Sequence, residues 1–513
     1  MKAPRCALPV AAIAFLLMAG LAVSSPNQKQ PRTQYPLYIL TYDHGGIILW
    51  GADQFRQSLR SAVSWLDRYP DFKIGLDNEA YAYDELARNY PEILGELKGY
   101  LKKYEGRLGI GTSTYGQPLS AFITEESNIR QIESALRTCE ERLGVRPRVY
   151  LMSEHAMHSQ IPQILEGFAF QGAVMRTHFM MYGYNPTFNV PIGWWIGSDE
   201  SRLPAIPTYE GEGASFGTTT EDNFILNHYP SKQCQVSLED YRRHFPRIRP
   251  LLASRADDAA VRQEGLVAQY SGHPEYQWIL LEELFGLFPR PQAALQTGAN
   301  DFKTRMPWGY CGNWIWNQGR EAEVSVLTAE RLAALSWLAG DQSRERRIEE
   351  AWKNVLTAQH HDIQICGLLQ DADRFLTDSL AASSDVKNAS LVFLAGRMGN
   401  GGLVQVNVFN PMSWARKEWI TARITIRKKA AEGVVVRKGE SRLPTLLLAD
   451  AAVAGSSDRD CLVAFQAEVP GLAVTAYSID TDPSPTSGTS GIEVDESQLV
   501  IRTPDWNVQL SPG

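Results

Sequence analysis

Between residues 34 and 302 the chain alternates short apolar runs with longer amphipathic stretches. The amphipathic stretches, residues 57–69 and 126–143, have the spacing of helices with one apolar face. The apolar runs lie at residues 38–40, 149–152, 173–175 and 266–268. Because strands that alternate with helices form a parallel sheet or an α/β barrel, we expect residues 34–320 to form an α/β barrel-like domain.

The pattern changes twice further along the chain. Residues 321–396 contain apolar helical stretches around a charged segment and predict a helical bundle. A glycine-rich linker, residues 399–402, leads to residues 403–513, where strand-like runs lie between turn signals. These runs predict the start of a β-sandwich, and we expect the sequence to be incomplete because it ends just after a predicted strand. The predicted fold class is therefore multidomain α/β.

The first 25 residues have the features of a secretory signal. Lys2 and Arg5 precede an apolar run at residues 11–23, which ends in small residues suited to cleavage. This run is too short for a membrane span, and no later stretch is long enough. We therefore expect a secreted or periplasmic protein without a membrane span.

Composition and charge exclude some classes of protein. The chain is 44% hydrophobic and 21% charged, which is the balance of a globular protein with a large core. A formal net charge of -8 gives no basic face for nucleic acid. The six cysteines are scattered without a Cys-x-x-Cys pair, which argues against a thiolate zinc site. The 13 Trp and 20 Tyr suit sugar stacking as well as core packing.

Polar side chains follow each apolar run of the first domain. Active sites of α/β folds gather at the ends of strands, so these side chains are candidates for one site. They are Asp43 and His44 after the first run, Glu154 and His155 after the second, Arg176 and His178 after the third, and His273 after the fourth.

One later segment, residues 359–362, has the sequence Gln-His-His-Asp. Neutral imidazole is the commonest protein ligand of zinc, and a nearby carboxylate can orient it. A buried polar cluster would look the same. Asp43 and His44 before two glycines suit a ligand loop or a helix cap. Glu154, close to two histidines, suits a nucleophile, a metal ligand or a structural ion pair.

Taken in order, these segments resemble the α-mannosidases of glycoside hydrolase family 38 over nearly the whole mature chain. Asp43 falls on the Asp of that family's His-x-Asp motif. The other matching segments are residues 144–148 (Gly-Val-Arg-Pro-Arg), 154–159, 176–178 (Arg-Thr-His), 359–362 and 407–416 (Asn-Val-Phe-Asn-Pro-Met-Ser-Trp-Ala-Arg).

The resemblance implies a Zn²⁺ site and a carbohydrate substrate. The implied ligands are Asp43, Glu154 and His361, and either His44 or His155 is a candidate for a fourth. Zinc would hold two hydroxyls of a sugar and favour distortion of its ring.

The resemblance also implies a retaining mechanism with two carboxyl groups. Glu154 is the implied nucleophile, and Arg176 is the charge partner that keeps it ionised. Aligning residues 271–275 with the family's Gly-Asp-Asp makes Glu275 the candidate acid and His273 its competitor.

Three positions depart from the family. Thr41 stands in place of a zinc-binding His, Glu154 in place of an Asp, and residues 271–275 lack an Asp. Two alternatives therefore accompany the α-mannosidase expectation: a non-catalytic exported carbohydrate-binding protein on the same scaffold, and a related glycosidase with another sugar specificity.

Overall fold

The computed structural model describes most of the chain that follows the predicted signal. The described residues are 35–151, 157–175, 183–184, 186–210, 238–257, 264–304, 313–365, 367–398, 404–429, 432–482, 493–503 and 505–511. The signal segment, Glu154 and Arg176 lie outside these ranges, so their assignments remain predictions. Among the described helices, none is both long and apolar enough to cross a membrane.

The first region is built of alternating strands and helices. In chain order they are β1 (Leu37–Asp43), α1 (Ile47–Arg68), β2 (Ile74–Leu76), α2 (Ala80–Asn89), α3 (Pro91–Lys103), β3 (Leu108–Ile110), α4 (Glu125–Leu143), β4 (Val149–Leu151), α5 (Ile161–Gly167), β5 (Gly172–Met175), β6 (Gly183–Tyr184), β7 (Thr187–Phe188), β8 (Gly193–Ile196), β9 (Arg202–Tyr209), α6 (Leu238–His244), β10 (Leu251–Asp257), α7 (Glu264–Tyr270), β11 (Tyr276–Ile279), α8 (Leu284–Leu287), β12 (Ala293–Gln296) and β13 (Lys303–Thr304).

Strand β1 is the centre of the first sheet. It pairs in parallel with β10 along its whole length, with β11 through Leu37–Leu40, and with β2 at Tyr42 and Asp43. Strand β3 continues the sheet beyond β2. Every residue of β1 is buried, as expected for a parallel strand covered on both faces.

A second sheet has the order β12-β8-β9-β5-β4, in which β4, β5 and β9 are parallel. The Ser113 hydroxyl, just after β3, donates to the carbonyl oxygen of Leu151 at the end of β4, 2.7 Å away. This bond joins the two sheets, which together form a curled half-barrel. The α/β fold class predicted from the sequence is confirmed.

Helix α4 shows why the sequence predicted its boundaries well. The Thr124 side chain caps its first turn by accepting from Ser127 N at 3.1 Å. Gly144 ends the helix with φ 71°, a left-handed conformation that glycine adopts at little cost. One prediction nearby is wrong: residues 266–268, expected to be a strand, lie within helix α7.

Four helices follow the curled sheets: α9 (Asn313–Leu338), α10 (Glu345–Ala358), α11 (His361–Ile365) and α12 (Leu369–Arg397). Val326, Trp352 and Phe375 from these helices belong to the same buried cluster as the side chains of β1. The helices therefore pack on the first sheet, which brings α11 to the site described below.

The last region is antiparallel. Its strands are β14 (Val404–Asn410), β15 (Arg416–Arg427), β16 (Gly433–Lys438), β17 (Ser441–Arg442), β18 (Thr445–Ala452), β19 (Asp458–Val469), β20 (Ala473–Asp482), β21 (Glu493–Asp495), β22 (Val500–Arg502) and β23 (Asn507–Gln509). Sheets β14-β20-β16-β17 and β15-β19-β18 share one buried cluster, to which Val436, Phe465 and Tyr477 contribute. Two sheets around a common core form a sandwich-like arrangement.

Candidate active site

Asp43 ends β1 at the carboxyl edge of the first sheet, where it is buried. One of its carboxylate oxygens accepts from Gly45 N at 3.0 Å. The other accepts from the Ser58 hydroxyl on α1. The loop and the following helix therefore hold this carboxylate in a fixed orientation.

His44, the next residue, is oriented by a carboxylate from the neighbouring strand. Its Nδ1 lies 3.3 Å from Oδ2 of Asp77, which follows β2, and both side chains are buried. When Nδ1 carries the proton and donates to Asp77, Nε2 keeps its lone pair. This is how histidines that bind metals are usually held.

His361 is held in the same way by a backbone group. Its Nδ1 lies 2.8 Å from the carbonyl oxygen of Gln117, which also accepts from the His361 backbone N at 3.2 Å. Because a carbonyl only accepts, Nδ1 must donate, and Nε2 of the neutral ring carries a lone pair. Gln117 has φ 45°, an uncommon conformation for a residue other than glycine, and such residues are frequent at functional sites.

The lone pair of His361 faces a carboxylate. Nε2 lies 3.5 Å from Oδ2 of Asp362. An imidazole nitrogen and a carboxylate oxygen at this separation can share a proton or bind one cation. Two ligands of a tetrahedral zinc ion, each about 2.0–2.1 Å from the metal, lie about 3.3 Å apart. The observed separation therefore fits a pair of zinc ligands.

Three imidazole rings are stacked at this place. The His44 and His361 rings have centroids 5.7 Å apart, and those of His360 and His361 are 4.3 Å apart. The ligand atoms of His360, His361 and Asp362 lie within 4.8 Å of one another. Nδ1 of His360, however, accepts from Asp362 N at 3.1 Å, so this lone pair is already used. His361 and Asp362 are the better ligand pair.

Thr41 lies two residues before Asp43 on β1, so both side chains point to the same face of the sheet. It is buried, and its hydroxyl has no hydrogen-bond partner among the described residues. A buried hydroxyl without a partner costs about 1–3 kcal/mol.

The structure brings together three of the residues predicted from the sequence, Asp43, His44 and His361. Glu154, His155 and Arg176 lie outside the described residues. Strands β4 and β5, which precede them, end at Leu151 and Met175 in the second sheet.

Glu275 and His273 lie at the opposite edge of the sheet, and their assignment as acid needs correction. The carbonyl oxygen of Glu275 accepts from Leu37 N, at the start of β1, at 2.9 Å. Leu37 and Asp43 are the first and last residues of the seven-residue strand β1, so they lie about 20 Å apart. The Glu275 side chain is 59% exposed and pairs with Arg242 at 3.2 Å. The apolar residues 266–268 suggest a strand that opens on the site, but they lie in helix α7.

A carboxylate residue that the sequence reasoning missed lies at the correct edge. Asp257 ends β10, and its Cα is the register partner of Asp43 on β1. Adjacent strands lie about 4.8 Å apart, so the two backbone positions are neighbours. The signal in the sequence was the apolar run 251–253, followed four residues later by Asp257 and Asp258.

A second buried network, made of side-chain hydrogen bonds, holds the Gln-His-His-Asp segment. Oε1 of Glu323, on α9, accepts from Gln359 Nε2 at 2.9 Å, from Thr124 N at 3.0 Å and from the Ser127 hydroxyl. Gln359 Oε1 in turn accepts from Gln131 Nε2 at 3.1 Å. Helices α4 and α9 are thereby tied to the residue that precedes the two histidines.

Two sequence comparisons match part of the chain. Residues 49–193 match the family model described as Glycosyl hydrolase family 57. Over 130 residues the chain is 22% identical to an α-amylase from Pyrococcus horikoshii. This match covers 25% of this chain and 20% of that protein.

Two solved structures share the fold. An α-mannosidase from Enterococcus faecalis V583 has a TM-score of 0.63 at 14% identity, and the match covers 91% of this chain and 58% of that one. A glycosyl hydrolase family 38 protein from Enterococcus faecalis has a TM-score of 0.62 at 12% identity, with 93% and 58% covered. The sequence match is therefore to family 57, whereas the likeness to family 38 is one of fold. The chain spans only part of each of these relatives.

Proposed function

We propose that the protein is an exported, zinc-dependent retaining glycoside hydrolase of the α-mannosidase type, which removes terminal α-linked sugars from glycans. The observation that carries the proposal is the held ring of His361. Its Nδ1 donates to the Gln117 carbonyl, and its Nε2 faces Asp362 beside the Asp43–His44 loop. The family 57 match supports the class of reaction, and the fold shared with an α-mannosidase supports the specificity.

The residues present suit zinc. His361 supplies a nitrogen with a fixed lone pair, and Asp362 or Asp43 supplies oxygen, while Glu154 would complete three protein ligands. His44 is a further candidate because Asp77 orients its ring. When bound, zinc would act as a Lewis acid and as a template for two sugar hydroxyls.

The reaction needs two carboxyl groups with different roles. In the first step Glu154 forms a bond to the anomeric carbon while the glycosidic bond breaks, and the leaving oxygen takes a proton from an acid. In the second step water replaces Glu154 at that carbon and returns a proton to the same acid. We assign the acid to Asp257 in place of Glu275, because Asp257 ends the strand beside Asp43.

A second candidate function is a glycosidase that acts on α-glucans without a metal. The match of residues 49–193 to family 57 and the α-amylase relative favour it, as does Thr41 in place of a histidine ligand. A non-catalytic carbohydrate-binding protein is the third candidate, because a scaffold does not fix an activity.

Metal content and substrate range, measured together, separate these candidates. The purified protein is analysed for metals and assayed on aryl α-mannosides, aryl α-glucosides and maltooligosaccharides, before and after chelation. We expect zinc and hydrolysis of the mannoside, both lost on chelation and restored by Zn²⁺. Hydrolysis of α-glucans that survives chelation would favour the second candidate, and sugar binding without turnover would favour the third.

The nucleophile is tested by Glu154→Gln. The amide keeps the shape of the side chain but removes the charge needed for attack and for metal binding, so we expect turnover to be lost while the far-UV circular dichroism is unchanged. Wild-type activity in this variant would end the assignment.

A further inference from the structure

The loop that carries Asp43 and His44 is contacted by three consecutive residues that follow β2. Asp77 contacts the His44 ring, as described above. Asn78 Nδ2 donates to the carbonyl oxygen of Gly45 at 2.6 Å. Oε1 of Glu79 accepts from Ile47 N at 2.7 Å and from Ile48 N at 3.1 Å, at the start of α1.

Glu79 takes the place of a missing helix cap. Gly46, at the N-cap position of α1, has no side chain to accept from the first turn, and no acidic residue lies in that turn. The Glu79 carboxylate comes from another element and accepts the first two amide protons of the helix, at the end where a negative charge is favourable. It thereby determines where the loop ends and the helix begins.

Gly46 and Glu79 are complementary in shape. A Cβ placed on Gly46 would lie 1.7 Å from Oε2 of Glu79, which is an overlap of atoms. Gly46 itself has φ -90° and ψ 175°, a conformation open to every residue. The need for glycine at this position therefore comes from the Glu79 side chain and not from the backbone.

The Glu79 side chain is completely buried, and its Oε2 has no hydrogen-bond partner among the described residues. Burial raises the pKa of Glu79, against the lowering effect of its backbone hydrogen bonds. Oε1 remains an acceptor in either protonation state. An amide at this position would accept from the same two N–H groups.

We infer that Glu79 is a positioning residue, which fixes the Asp43–Gly46 loop by capping α1 and by filling the space that Gly46 leaves open. The inference rests on the proposed function only in that this loop is taken to serve the reaction. Asp77 and Asn78 hold the ring and the backbone of the same loop. This role does not require Glu79 to contact the substrate or the metal.

The steric part is tested by a double-mutant cycle with melting temperature as the readout. Gly46→Ala should destabilise the protein, and adding Glu79→Ala should recover part of the loss, because the overlap disappears. Gly99→Ala on α3 is the control, since a Cβ there meets nothing within 4 Å. A Gly46→Ala protein as stable as Gly99→Ala, or losses that simply add in the double variant, would overturn the inference.

The positioning part is tested by ring ¹⁵N spectra of the histidines and by kinetics. Glu79→Gln should leave the His44 signals and kcat near wild type, whereas Glu79→Asp, which keeps the charge but withdraws the acceptor, should shift the His44 signals. The His361 signals, fixed by Gln117, should stay unchanged. For Glu79→Asp we expect kcat to fall about tenfold or more with little change in KM.

The two readouts separate the inference from the proposed function. If the wild-type protein hydrolyses no glycoside, the proposed function fails. The double-mutant cycle of melting temperatures and the ¹⁵N spectra of His44 would still show whether Glu79 positions the loop. If Glu79→Asp retains the wild-type His44 signals, or if Glu79→Gln perturbs them as strongly as Glu79→Asp, the positioning role is refuted.

Discussion

The Glu323→Ala variant tests whether the helices α4 and α9 support the Gln-His-His-Asp segment through one buried carboxylate. Glu323 Oε1 is the shared acceptor for Thr124 N, the Thr124 hydroxyl at 2.9 Å, the Ser127 hydroxyl and Gln359 Nε2. The other oxygen pairs with Arg320 at 2.9 Å. Removing the carboxylate leaves these donors facing a cavity from which water is largely excluded.

The expected loss of stability in Glu323→Ala follows from the number of donors that lose their acceptor. Each hydrogen bond contributes about 1 kcal/mol of net stability, so the loss of the Glu323 carboxylate is expected to lower the free energy of unfolding by about 3–5 kcal/mol. Glu323→Gln keeps one oxygen acceptor in place and should cost about 1–2 kcal/mol. Glu321→Ala, at an exposed position of the same helix, should change stability by less than about 0.5 kcal/mol.

The assay is equilibrium unfolding in urea, followed by tryptophan fluorescence and by circular dichroism. A Glu323→Ala protein within about 1 kcal/mol of wild type would refute the argument, because the unpaired donors would then cost nothing. Equal losses for Glu323→Ala and Glu323→Gln would also refute it, since they would assign the effect to charge and not to the shared acceptor.

Two further predictions concern a buried ion network and the identity of the acid. Burial raises the pKa of Asp84, but hydrogen bonds and charges from Lys353 and Arg142, each 2.8 Å away, outweigh this and leave the pKa lowered. Asp84→Asn should therefore melt below wild type at pH 7. The difference should shrink as the pH falls below the ordinary pKa of an Asp carboxyl, because protonation of the wild-type carboxyl removes the same charge. A difference that stays constant with pH would contradict this. Asp257→Asn should slow hydrolysis of natural glycosides far more than that of activated aryl glycosides, with azide restoring transfer, whereas Glu275→Ala should stay within about twofold of wild type; the reverse order would return the acid to Glu275.

Much of the fold could be predicted from the sequence because local signals agreed with the final packing. Helix α4 has its Thr124 cap and its Gly144 end, and β1 is a buried apolar run that ends in Asp43. Strand β10 was missed because its apolar run is short and continues into Ser-Arg-Ala-Asp. Residues 266–268 were misassigned because a short apolar run fits a strand or a helix equally well.

The candidate site could be predicted only where a single residue reveals its chemistry in the sequence. His361 could be picked out because two histidines precede an aspartate, and Asp43 because it ends an apolar run. The contacts that hold these two side chains could not be predicted. The Gln117 carbonyl that fixes the His361 ring, for example, lies 244 residues away in sequence. Likewise, the overlap that requires Gly46 exists only because the Glu79 side chain meets it in the fold.

The most direct test of the account is the zinc content of wild-type protein and of two histidine variants, measured by mass spectrometry after removal of loosely bound metal. We expect about one zinc per chain in wild type, no zinc in His361→Ala, and wild-type content in His244→Ala, which changes an exposed ring on α6. Hydrolysis of the aryl mannoside should follow the zinc content in all three. A metal-free wild-type protein that is fully active, or a His361→Ala variant that retains its zinc, would contradict the central claim.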